Sequence, residues 1–140
     1  MTDLTVTAAQ VGVVDPAKAV IKTYIAAAAI TAGQAIYQNT SGKADLADAN
    51  GSGTLQFRGV ALKTVGAGDA VDVCEDGEVY GFDLSGLNYD ALVYLSNTAG
   101  ALADGAGGTS VVCGRVNALT DNPTLTKVLR VFVRRSADWA

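Results

Sequence analysis

The phrase "YQNTSGKADLAD", from Tyr37 to Asp48, returns as "YLSNTAGALAD", from Tyr94 to Asp104. A chain that repeats a phrase must fold into two related pieces and find a way to join them. In both copies an alternating apolar run meets Asn-Thr-x-Gly, and Asn and Gly tolerate the positive φ of a tight turn. A glycine-rich loop follows each copy, over 48–53 and 105–108. Beyond the loop comes a β-branched run with a central glycine, Gly59 in "FRGVAL" and Gly114 in "VCGRV". Two copies of so long a unit do not make a solenoid. They predict an all-β fold: a small closed barrel or sandwich of short antiparallel strands, with an internal two-fold repeat and an extended N-terminal arm. Closure would also remove exposed sheet edges.

The rest of the chain fits this frame. Period-two alternation predicts strands over 19–28, 35–38, 43–46, 55–64, 70–75, 78–84, 92–96, 110–119 and 126–135. In the first of these, Val20, Lys22, Tyr24 and Ala26 share one face, and Ile21, Thr23 and Ile25 the other. Gly59 inside a strand predicts a bulge or a close backbone approach. Asp76-Gly77 predicts a two-residue hairpin with Asp72, Glu75 and Glu78 around a solvated tip. The domain plan is an arm (1–16), one β domain (17–135, with repeat halves at about 30–64 and 90–119) and a tail (136–140). Only 6% of the residues are aromatic, so the core must be built from Ala and β-branched side chains.

Little in the sequence speaks for chemistry. There is no His, which removes the usual general base and the commonest metal ligand. Neither Cys74 nor Cys113 belongs to a CxxC pair, so both read as reduced, partly buried thiols. Asp45, Asp48 and Asn50 precede Gly51 but lack the alternating ligands and closing Glu of a calcium loop. "GAGDAV" and "GAGGTS" are not phosphate loops. Catalytic, cofactor-binding and metal residues are therefore expected to be none. A net charge of −4 argues against nucleic acid as a partner. The longest apolar run, "YIAAAAI", is too short to span a bilayer, and a polar start with no leader predicts synthesis in a cytoplasm.

What remains are features of a protein that touches other proteins. The segment 1–16 carries Leu4, Val6, Val11 and Val13 with no hairpin partner of its own. It reads either as a first strand tucked into the sheet or as an arm laid on a neighbouring subunit. The basic residues gather late, at Lys127, Arg130, Arg134 and Arg135, and the lone Trp139 stands next to the last residue. Aromatic and Arg side chains anchor interfaces. Leu4, Val6, Val11, Val13, Arg134, Arg135 and Trp139 are thus the expected protein-interface residues. Deletion of residues 1–14 is expected to abolish partner binding and leave the fold intact.

In order, "AGQAIYQNTSGKADLADA", "FRGVALKTVGAGDAVDV", "GEVYGF", "YDALVYLSNTAGALA" and "VVCGRV" resemble the family of small bacteriophage capsid cement (decoration) proteins. The resemblance runs from about Ile30 to Val116 and more loosely to Val133. It implies a non-enzymatic structural protein on the outer surface of an expanded icosahedral head, bridging major capsid proteins against internal DNA pressure. It also implies a major capsid protein as partner and a homo-oligomer, a trimer first and a dimer second. Another virion β-module, such as a head-fibre base or a tail component, is the alternative.

Overall fold

The computed structural model describes residues 2–51, 53–121 and 124–133. Ten strands form one antiparallel sheet curled into a half-barrel, which is the all-β fold read from the sequence. They are β1 (Gly12–Val13), β2 (Val20–Ile25), β3 (Ala35–Gln38), β4 (Ala44–Leu46), β5 (Phe57–Ala61), β6 (Ala70–Tyr80), β7 (Leu92–Leu95), β8 (Leu102–Ala103), β9 (Val112–Asp121) and β10 (Thr124–Val131). Their order is β4-β3-β5-β6-β10-β9-β7-β8, with β1 and β2 also joined to β6.

The central strand differs from the sequence expectation. Asp76-Gly77 is no hairpin; β6 runs straight through it. The first part of β6 pairs with β2 and β5, the second with β1 and β10. Gly77 takes φ +149° and lies against Ala19. The register with β2 slips between Val20 and Ile21, so that Glu75 is skipped. A bulge and a glycine together let one strand pass from one set of partners to another, as strands do at sheet corners. The dipeptide has the chemistry of a turn, but strands remote in sequence hold it extended.

This shared strand explains the doubled phrase. The first unit runs β2, β3, β4, β5 and the first part of β6. The second runs the rest of β6, then β7, β8, β9 and β10. In each unit the second and third strands form the repeated hairpin, and the last strand pairs with the first. The likeness extends to single residues. Ile36 pairs with Gly59 and Tyr37 with Phe57, which leaves Arg58 as an extra residue; Val93 pairs with Gly114 and Tyr94 with Val112, which leaves Cys113. A Cβ on Gly59 would overlap the carbonyl oxygen of Cys74, and one on Gly114 that of Arg130. Cys74 and Arg130 are therefore equivalent. Ile21 pairs with Cys74 and Glu78 with Arg130, so β2 corresponds to the second part of β6.

Two cores match the two units. Tyr24, Ala26, Ile30, Ile36, Ala61, Val71 and Val73 fill the first. The larger one, with Val93, Leu95, Leu102, Cys113 and Leu129, takes the opposite face of the first unit as well, through Ala35, Phe57, Val60 and Cys74. Small side chains suit a sheet covered on both faces, because bulkier ones would force it apart.

Candidate interaction surface

The N-terminal segment is woven into the molecule. The Leu4 N–H donates to Leu102 O, the Thr7 N–H to Gly81 O, and the Asp83 and Asp104 N–H groups donate to Thr5 O and Thr2 O. The segment thus fills the gap between β8 and the residues that follow β6. Asp3 accepts a hydrogen bond from the buried Ser96 hydroxyl. Leu4 and Val13 are half-buried against the larger core, and Val13 pairs with Val79. Val6 and Val11 press on Gly33, and Val11 also on Gly81. Within 1–16, Gly12–Val13 is a strand of the sheet, Asp3 and Val6 make single bridges to Ala103 and Phe82, and a 3-10 turn lies between them at Ala8–Gln10. All four apolar residues lie against this chain's own body, Leu4 and Val13 on the larger core and Val6 and Val11 beside Gly33. Arg134, Arg135 and Trp139 lie outside the described residues.

Several charged groups are engaged within the chain. The acids around Asp76-Gly77 are spread along β6 and form no solvated tip. Glu75 is 5% exposed and accepts a hydrogen bond from the Tyr24 hydroxyl at 2.7 Å. Asp76 pairs with Arg130 at 2.6 Å, and Glu78 meets Asn117 at 3.5 Å. Asp72 accepts from the Thr23 hydroxyl at 2.7 Å and pairs with Lys63 at 3.4 Å. The Thr23 hydrogen bond holds the Asp72 carboxyl below its usual range against the opposing cost of burial, and Lys63 adds to the lowering. Lys127 donates to Leu87 O and sits over the Tyr89 ring.

Cys74 and Cys113 are buried and unbridged. Burial pushes the Cys74 thiol up to about 11 and Cys113 well above its ordinary value, so neither is a ready nucleophile. Asp48 spends one carboxylate oxygen on the Asn50 and Gly51 N–H groups and the Thr54 hydroxyl, closing its own loop. Among the described residues no cluster of three acidic or Cys side chains is placed to hold a metal ion, and no helix is long and apolar enough to cross a membrane. A groove of about 320 Å³ beside Leu4, Val6, Gln34 and Ala99 carries no ionisable side chain.

The surface does carry exposed apolar side chains. Over 20–26, Tyr24 of β2 and Ala26 just beyond it are buried, whereas Val20, Ile21 and Ile25 are 51%, 41% and 45% exposed. Tyr80, Tyr89 and Leu125 form a second exposed set on the other unit. Alternation assigned the two faces of β2 from sequence, but which face stays bare depends on strands far along the chain. No family model, curated protein or solved structure matches the chain.

Proposed function

We propose that this protein is a non-enzymatic structural component of a phage virion, a cement protein that binds the outer surface of the capsid and bridges major capsid proteins. One observation carries the reading. The phrases that resemble the cement family coincide with the hairpins and glycine bulges of the duplicated body, which are what this fold is made of. Three further features support it. The cysteines are inert, and the paired acids and bases are spent within the chain. Several large apolar side chains, Val20, Ile21, Ile25, Tyr80, Tyr89 and Leu125, lie on the outside. A net charge of −4 suits a protein that must stay soluble until it meets a shell. A bridging protein gains strength from several weak contacts made together, so it needs no deep pocket.

The test is co-sedimentation of the purified protein with expanded, undecorated phage heads across a range of salt. Saturable binding at a fixed copy number per head is expected, with a salt dependence that reports the share of charged contacts. Folded protein left in the supernatant at every salt concentration would overturn the reading and favour a tail or head-fibre module.

A further inference from the structure

We infer that the outer edge of β2 is a self-pairing surface, through which two copies of this chain join antiparallel about a two-fold axis at Thr23. The inference does not rest on the capsid reading.

The two units supply the first argument. In the second unit, the part of β6 equivalent to β2 is covered on its outer edge by β1, with Val14 N–H donating to Glu78 O and Gly12 paired with Tyr80. Through the Cys74–Arg130 equivalence, Glu78 and Tyr80 correspond to Ile21 and Thr23. In the first unit the same edge has no strand on it among the described residues; β2 pairs with β6 alone until Ala26 bridges Ala44. Among the described residues, the fold thus shows one edge covered by a strand and its equivalent with none on it.

Backbone direction supplies the second argument. The Ala26 N–H donates inward to Asp69 O, and the Ala27 N–H donates the other way, to Ala44 O. Alternation along a strand then points the backbone groups of Ile21, Thr23 and Ile25 outward, away from β6. These three residues also carry the exposed side chains of the outer face. An uncovered edge of this kind is a template for another strand.

Register selects the occupant. With Thr23 opposite Thr23 of a second copy, Ile21 faces Ile25 and Ile25 faces Ile21, so the four exposed isoleucines cover one another. Lys22, which already sits 5.5 Å from the centre of its own Tyr24 ring, then faces the second copy's Tyr24 instead of its Lys22. A slip of one step, to Lys22 opposite Lys22, sets like charges together and leaves Ile25 uncovered. Of these two registers, only the one centred on Thr23 is self-complementary. A six-residue strand pair covers less than the roughly 1,200 Å² of a stable complex, so the pairing is transient in dilute solution.

The test is cysteine trapping with sedimentation. In an antiparallel hydrogen-bonded pair the Cα atoms stand about 5.5 Å apart, within disulfide range. Thr23→Cys is expected to give a covalent dimer under mild oxidation, while Lys22→Cys, whose partner in this register is Tyr24, is not. The two native thiols are buried and remain silent. The unmodified protein should dimerise with rising concentration, and Ile21→Lys with Ile25→Lys should abolish that rise while the circular dichroism spectrum is unchanged. A monomer at the highest soluble concentration would overturn the inference. So would equal cross-linking of Thr23→Cys and Lys22→Cys, or an oligomer untouched by the two lysines. Because no phage head enters the assay, its failure is distinct from a failure of the cement role.

Discussion

At the scale of single residues, the glycines at the two bulges have different reasons to be glycine. Gly59 takes φ +146°, a conformation that L-residues rarely adopt, and it also abuts the Cys74 carbonyl. Gly114 has no such φ; only the closeness of the Arg130 carbonyl excludes a Cβ there. Ala at either position should destabilise the fold by about 2 kcal/mol or more, because strand backbone cannot move aside as a flexible side chain can. Gly59→Ala combines strain with overlap and should cost more than Gly114→Ala. Urea unfolding of the two variants checks this order, and equal midpoints for both variants and the parent would contradict it. These glycines are legible in the sequence because glycine weakens a strand, and among β-branched residues it marks a bulge or a close backbone approach. The burial of Glu75 is not legible, since nothing local distinguishes it from Asp72 or Glu78.

Among the elements, β6 does the most to define the fold and is the least legible. The dipeptide Asp76-Gly77 serves a hairpin or a corner with the same chemistry, and the choice rests on partners more than forty residues away in either direction. The repeated words mark two halves at about 30–64 and 90–119. The duplication is in fact longer, because β2 and the second part of β6 are equivalent in position without sharing words. "VIKTYI" and "GEVYGF" have alternation in common and little else. The corner makes a prediction of its own. Gly77→Ala meets both a φ of +149° and the Ala19 Cβ, which would lie 2.8 Å from the new methyl. It should cost about 1–3 kcal/mol. Ala19→Gly in the same chain should recover part of that loss, since neighbours in contact are not additive. Chemical denaturation of the two single variants and the double variant measures the coupling. No recovery would mean that backbone strain alone sets the cost, and that the contact between the corner and Ala19 is incidental.

Across the whole molecule, the N-terminal segment and the shared strand tie the two units into one body. From sequence alone, deleting residues 1–14 spares the fold and reports partner contact only. The placement of the segment changes that expectation. Its removal strips the hydrogen bonds to Leu102 O, Gly81 O, Asp83 N and Asp104 N, and uncovers Leu102 and Ala103, which are otherwise fully buried. A domain of this size has a net stability of about 5–15 kcal/mol, so losing several hydrogen bonds and a strip of apolar contact is a large fraction of it. The damage falls first on the second unit, but β6 belongs to both. Loosening its second part therefore weakens the pairing of its first part with β2 and β5. The truncated protein should melt well below the parent, in one transition seen alike by far-ultraviolet and near-ultraviolet circular dichroism. A synthetic peptide of residues 1–14 added in excess should raise that melting temperature again, because it binds the folded state alone. Two separated transitions would show that the corner in β6 insulates the units. An unchanged melting temperature would mean that the segment is an arm available to partners, and only then would its deletion be a clean test of capsid binding.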